Sequence, residues 1–262
     1  MNLSDSLLAF NGEGLDDLPV KGNLDRLIRD LQGAGDGRIV VDCNIHAEYT
    51  SNPRAVADLA AYAKEHGLRL QVHVSETRLE HEECKQRHDG LTPVRYFESL
   101  GVLDVPVTAA HCVWVDDGDI DVLAERGVFV AANPASNMKL GSGFAPVAKM
   151  LARGVNVCLG TDGVSSNNCT DFFGDMKLAA ILHNGANCDP LALLPIDACA
   201  WPPSTAARPW VGSLAGLRGA TTRPHSGGFL PPEPHPLPQR DFQPGICAHG
   251  SDVCMNMARG KV

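Results

Sequence analysis

Five apolar runs in this chain end, one after another, in a polar or metal-competent side chain, and that recurrence restricts the fold more than any other feature. The stretch Leu70–Thr77 is the clearest. Leu70, Val72 and Val74 alternate with Gln71, His73 and Ser75, the period of a strand with one aliphatic side and one polar side. Glu76 and Thr77 then leave the strand, and Ser75 or Thr77 is placed to cap the helical run Arg78–His88. An imidazole thus sits at a strand's carboxyl end with a carboxylate three residues on, where parallel α/β folds carry their chemistry. Arg38–Asn44 ending near His46, Val107–His111, Val128–Ala132 emptying into Asn133–Asn137, and Asn156–Asp162 repeat the design.

Spacing turns the recurrence into an architecture. The strand ends at His46, His73, His111, Asn133 and Asp162 lie 27, 38, 22 and 29 residues apart. A barrel of eight strand-helix units in about 250 residues allots about 31 to each. Helical patterns at Pro53–His66, Pro93–Leu100, Ile120–Arg126 and Pro146–Arg153 fill the intervals, each followed by a glycine suited to end a helix. The expected fold is α/β: an incomplete TIM-type (β/α)8 barrel of about five consecutive strand-helix units. A doubly wound open sheet has similar spacing, but polar endings on almost every strand favour a barrel, whose mouths converge on one site.

Composition narrows the class of function. The 262 residues carry a formal charge of -9 with scattered Lys and Arg, which offers no basic face to a nucleic acid. The nine cysteines form no C-x-x-C pair, and their odd number suits reduced thiols of a cytoplasmic protein better than a disulfide framework. No apolar run approaches membrane length. Oligomerisation is left open.

Residues 1–197 hold the partial barrel, with nothing in 1–37 that carries chemistry. The composition then changes abruptly: ten of the 18 prolines fall between Pro202 and Pro244, where runs such as Pro231-Pro232-Glu233-Pro234 cannot join a helix or a central strand. The expectation is a Pro-rich segment, 198–247, produced by a displaced reading frame, followed by a return to the original frame at 248–262.

Imidazole nitrogen and carboxylate oxygen are the donors a borderline cation such as Zn²⁺ accepts, and a catalytic site keeps a position open for water. His73 and Asp162 are the ligand candidates, Glu76 is placed to carry a proton between that water and a substrate, and His111 to hold or deprotonate the water. The competing reading of Asp162, within Gly160-Thr161-Asp162-Gly163, is a turn carboxylate bonding its own backbone.

Val72-His73-Val74-Ser75-Glu76-Thr77, Ala109-Ala110-His111-Cys112-Val113-Trp114, Asn133 to Gly143 (Asn-Pro-Ala-Ser-Asn-Met-Lys-Leu-Gly-Ser-Gly) and Leu159-Gly160-Thr161-Asp162-Gly163 occur in order. Together they resemble the amidohydrolase superfamily, most of all its methylthioadenosine/S-adenosylhomocysteine deaminases. The resemblance runs from about Arg38 to Pro195, and 248–262 looks like the family's C-terminal end. It implies a hydrolytic deaminase of an adenine-type nucleoside, with His73 and Asp162 on one divalent metal, most simply one Zn²⁺. Glu76 would be the proton shuttle and His111 the group on the attacking water. His46 would be a substrate-pocket histidine, with Ser136 and Asn137 also against the substrate. The family begins with an H-x-H on its first strand that supplies two further ligands, and none of the ten histidines here stands in that pattern. The expectation is therefore that the first three or so strands are missing and that the chain alone is inactive.

Two alternatives share these residues: another amidohydrolase, such as a triazine deaminase or chlorohydrolase, and a non-catalytic fragment. Other motifs are dismissed. His81-Glu82-Glu83-Cys84-Lys85 begins like H-E-x-x-H but ends in lysine, and is expected to be a solvated helix face. Asn168-Cys169-Thr170 is a glycosylation acceptor that a cytosolic chain would not use. The P-C-x-x-C of the small zinc deaminases, the P-loop and G-x-G-x-x-G are absent.

Overall fold

The structure, a computed structural model, describes residues 14–37, 39–169, 171–193, 241–249 and 252–260. Strands β1 (Cys43–Ile45), β2 (Leu70–Val74), β3 (Val107–His111), β4 (Phe129–Ala132) and β5 (Asn156–Gly160) lie side by side in chain order, every neighbouring pair parallel. A doubly wound sheet reverses its strand order at a switch point. This series does not reverse, so the tie between barrel and open sheet resolves toward the barrel. The register sets Val74 opposite His111, which brings the ends of β2 and β3 level.

Each strand is followed or preceded by a helix whose apolar side closes on the sheet. In the helix Pro53–Glu65, Asn52 accepts a hydrogen bond from the Ala55 N–H at 2.9 Å, Pro53 fills the first turn, and Ala55, Val56, Leu59, Ala60 and Ala63 are buried. Ile45, Val72, Val130 and Val157 from four strands are wholly buried in the same core. Burial of each aliphatic side chain of that size is worth about 1.5–3 kcal/mol.

Several elements depart from the sequence pattern. The first strand is only Cys43–Ile45 rather than Arg38–Asn44, because Val41 N–H is taken by the Gln32 side chain at 2.6 Å instead of a ladder. Asn133–Asn137, expected as loop, enters a helix, Pro134–Lys139. A long helix, Phe172–Asn187, has no counterpart among the sequence patterns. Asp116 caps and pairs with Asp119 in a capping box, so the helix after β3 starts at Asp117 rather than Ile120.

The free edge of β5 is not open. A hairpin of β6 (Asp241–His249) and β7 (Asp252–Gly260) lies against it, with β7 antiparallel to β5 through Leu159↔Met255 and Gly160↔Cys254. Part of the segment expected to form no element, up to Pro244 and beyond, is therefore strand. Pro244 lies in β6, the edge strand, where a residue without an N–H is tolerated. The remainder of the Pro-rich segment, 198–240, lies outside the described residues. No helix among the described residues is long and apolar enough to cross a membrane.

Candidate active site

The carboxyl ends of β2, β3 and β5 carry left-handed backbone on residues other than glycine. Ser75, His111, Cys112 and Asp162 all have positive φ, at 49°, 71°, 47° and 59°. Left-handed backbone costs a non-glycine residue about 1–2 kcal/mol, and such strain gathers at functional sites.

His73, on β2, is fixed by its neighbour strand. Its Nδ1 lies 2.6 Å from the His46 carbonyl, which accepts only, so Nδ1 carries a proton. That backbone contact is the arrangement that orients metal-bound histidines. The same carbonyl also accepts the His73 backbone N–H at 2.9 Å. His46 in turn has Nδ1 2.9 Å from Thr50 Oγ1, and its ring centroid is 5.0 Å from that of His73.

His111 is buried and stacks on His73 with centroids 5.4 Å apart. Its Nδ1 is 2.8 Å from Asn137 Oδ1, which again assigns a proton to Nδ1. Asn133 Nδ2 lies 3.4 Å from that Nδ1 while Asn133 Oδ1 has no partner, and turning this amide over would set the oxygen on the same N–H. His111 Nε2 faces Glu76 Oε2 at 3.7 Å.

Ser142, absent from the sequence candidates, donates from Oγ to Glu76 Oε1 at 3.3 Å, and its carbonyl accepts the Trp114 indole N–H at 2.7 Å. Its own N–H donates to the Asn137 carbonyl at 2.8 Å. One cassette, the helix Pro134–Lys139 and the turn after it, thus touches both His111 and Glu76. Gly143 (φ +122°) lets the turn pass under Trp114, where an added Cβ would meet Val113 at 3.1 Å.

Asp162 is buried and reached from two sides. Its Oδ2 accepts the Ser136 hydroxyl at 2.5 Å and its Oδ1 the Gly163 N–H at 2.5 Å, so the turn contact weighed against the ligand reading is present. Asp175, on the long helix, accepts from Ala135 N–H at 3.3 Å and from Asn167 Nδ2 at 2.9 Å, tying the Ser136 helix to the short helix Val164–Asn167 after β5. Burial pushes the Asp175 carboxyl up to about 6.

The Arg78–Arg87 helix selects one of its two candidate caps and corrects the reading of His81. Thr77, not Ser75, is the cap, in a box with Glu80, whose carboxylate also takes the N–H groups of Ser75 and Glu76 at 3.0 and 2.8 Å. Burial pushes Glu80 up to about 7 against the pull of those backbone donors. His81 is not solvated: it is buried, with Nδ1 3.2 Å from Ser75 Oγ. The capping box Thr77-x-x-Glu80 was visible in the sequence. Ser142 left no such local signal, because it meets Glu76 across 66 residues.

Among the described residues, the group of three or more His, Cys, Asp or Glu whose ligand atoms fall within 4.8 Å of one another is Glu48, Cys84 and His88, not a set containing His73, His111 and Asp162. Glu48 is saturated from other directions. Arg87 donates to it from Nε at 3.0 Å and from Nη2 at 2.6 Å, and His88 Nε2 stands 2.6 Å away. Burial raises the Cys84 thiol to about 12, away from the thiolate a metal needs.

Sequential parallel strands with their polar side chains gathered at one mouth are the scaffold of a barrel-type hydrolase. The chain belongs to the amidohydrolase family, whose model matches residues 7–200. It is 40% identical over 251 residues to a 5'-deoxyadenosine deaminase of Methanothermobacter thermautotrophicus, covering 90% of this chain and 56% of that protein. It is 48% identical over 170 residues to a 5-methylthioadenosine/S-adenosylhomocysteine deaminase of Dictyoglomus thermophilum, covering 65% of this chain and 40% of that protein. Among solved structures, a zinc-bound adenosine deaminase of Xanthomonas campestris superposes with a TM-score of 0.67 at 30% identity, over 72% of this chain and 42% of that one. An atrazine chlorohydrolase of Arthrobacter aurescens with zinc gives 0.67 at 26%, over 74% and 43%. The chain spans about half the length, or less, of these relatives.

Proposed function

We propose that this chain carries one part of a divalent-metal site for hydrolytic deamination of an adenine-type nucleoside. The carrying observation is that His73 and His111 stack on one another, each with Nδ1 fixed on an oxygen acceptor, and that Glu76 stands beside His111. The donor chemistry fits a borderline cation, but His73 and Asp162 are two ligands where a catalytic zinc site uses three from protein. The H-x-H pair of the family resemblance would complete the set, most simply around a single Zn²⁺, and without it the chain has little or no turnover. The ion, when bound, supplies Lewis acidity.

His73 and Asp162 hold the ion in this reading. His111 would orient the attacking water by accepting a hydrogen bond from it through Nε2. Glu76, steadied by Ser142, would move one proton of the water to the ring nitrogen and the second, from the hydroxyl left on the ring carbon, to the departing amine, so that oxygen replaces the amino group and ammonia leaves. His46, Ser136 and Asn137 are proposed against the substrate, although Asn137 already serves His111 and Ser136 serves Asp162. A cytoplasmic location belongs to the same reading and agrees with the free thiols of Cys43, Cys84, Cys112, Cys158, Cys169 and Cys188. Names of the curated relatives favour a nucleoside over a triazine.

The test is metal content per chain after zinc loading and dialysis, in the wild type, His73→Ala and Asp162→Ala. Retention in the wild type that either substitution lowers supports the reading; equal content in all three sinks it. Loss of adenine absorbance from methylthioadenosine is expected to stay far below the ordinary enzyme turnover of about 10 per second.

We also propose that 198–247 is a displaced reading frame and 248–262 a resumption of the original. Some relatives align over 90% of this chain while others align over 61–65%, which is what a broken and resumed resemblance produces. Translating the gene in all three forward frames between the codons for Asp197 and Ala248 decides it: no apolar helix followed by strand-like alternation in either shifted frame rejects the idea.

A further inference from the structure

We propose that Glu48 is a positioning residue for His73, acting through the loop that follows β1. The inference rests on the reading of His73 as a ligand. Glu48 is buried, and its carboxylate is held by Arg87 through two N–H bonds, at 3.0 and 2.6 Å, and approached by His88 Nε2 at 2.6 Å. His88 is itself braced, its ring stacked on Tyr96 at a centroid distance of 3.9 Å. Arg87 is further steadied by Glu83 at 3.0 Å.

The clamp matters because of what its loop presents. Two residues before Glu48, the His46 carbonyl receives both the backbone N–H and the Nδ1–H of His73. The loop is closed between these points: Thr50 Oγ1 bonds the Ala47 N–H at 3.2 Å, the Ala47 carbonyl at 3.2 Å and His46 Nδ1 at 2.9 Å. A shift at Glu48 therefore moves the acceptor that assigns the His73 tautomer. The far end of the same helix tells the other half. Glu80 binds the backbone of Ser75 and Glu76 at the helix start, and Arg87 and His88 bind Glu48 at its end. The helix Arg78–Arg87 is a strut that sets the loop bearing His46 against the strand end bearing His73 and Glu76.

Long-range proton-nitrogen NMR of the imidazoles in the full chain tests this without metal or substrate. In the wild type His73 is expected as a single Nδ1–H tautomer. Glu48→Gln, which cannot serve both Arg87 donors and His88, should lose it, seen as averaging of the two ring-nitrogen shifts. Ile120→Val, a core cut away from the loop, should leave His73 unchanged, which a merely structural role for Glu48 would not predict. An unchanged His73 in Glu48→Gln, averaging in both variants, or a wild type without the Nδ1–H form overturns the proposal. Should Glu48→Gln fail to fold, Arg87→Lys replaces it with the same expectation and the same failing result. Cobalt titration of the same proteins is a separate arm: outer partners of a ligand are worth about 10-fold to 100-fold in affinity, so Glu48→Gln should weaken binding by that much. A wild type that binds no cobalt yet shows the tautomer effect counts against the metal reading and leaves the clamp standing.

Discussion

The two ends of the parallel strands solve the same backbone problem in opposite ways. Where the chain enters β4 and β5, the left-handed turn falls on Gly127 and Gly154, at φ +63° and +80°, with open space around both. Where it leaves β2, β3 and β5, positive φ falls on Ser75, His111, Cys112 and Asp162. Glycine accepts that conformation at no steric cost, and the others do not. The entry side is built for stability. The exit side keeps strained side chains because they bond to something: Ser75 to His81, His111 to Asn137, Asp162 to Ser136.

The sharpest break in that contrast comes from substitutions that keep the fold and remove exit-side chemistry. Glu76→Gln keeps shape and an acceptor for Ser142 but cannot carry a proton. In a preparation that shows deaminase turnover, such as this chain complemented with the H-x-H-bearing strands of a relative, it should lower kcat by about 100-fold to 10,000-fold with metal content unchanged. A kcat equal to wild type would place the proton transfer elsewhere.

A smaller effect separates Glu80 from the entry-side groups. Its folded pKa is raised from 4.5 to about 7, chiefly by burial. The folded state therefore holds a proton that the unfolded state releases first, and stability is greatest below about 4.5 and falls as pH rises through about 7. At about 1.4 kcal/mol per pKa unit, the wild type should lose up to about 3 kcal/mol relative to Glu80→Gln across that window. Denaturant midpoints at pH 5 and pH 8 measure it; a difference between the two proteins that does not change with pH removes the exit-side explanation. Asp175, raised to about 6 by burial, adds in the same direction, while His183, lowered to about 4 by burial, loses stability as pH falls and opposes them, which is why the variant pair and not the wild type alone carries the test.

The smallest effects compare the two turns directly. Gly127→Ala meets no atom within 4 Å, so its cost is conformational alone, about 1–2 kcal/mol. Ser75→Gly relieves strain of that size but loses the hydroxyl contact to His81, worth about 1 kcal/mol, and should be near neutral. Thermal unfolding of both variants checks the pair; a Ser75→Gly protein as damaged as Gly127→Ala would show that φ is not what distinguishes the ends.

Local patterns carried far into this molecule. Alternation in Leu70–Val74, the Asn52 cap before Pro53, and the glycine after each helix are decided by neighbours a few residues apart, so β2, β3 and the Pro53–Glu65 helix fall where the sequence places them. The short first strand escaped, because a side chain from the preceding helix, Gln32, claims the Val41 N–H. The helix at Pro134 escaped because Asn-Pro-Ala-Ser-Asn has the composition of a turn, and its hold on the rest comes through Ser136–Asp162 and Asn137–His111, each 26 residues apart.

By itself the sequence determined which side chains could do chemistry and that they stand at the ends of parallel strands, since period and spacing are properties of the chain. Only the tertiary structure decided what each one touches. The His73 and His111 tautomers, the grip of Ser142 on Glu76 and the clamp of Arg87 and His88 on Glu48 join residues from 26 to 66 positions apart. Hydrogen bonds at that separation depend on strand register and helix placement together, and no local propensity encodes them.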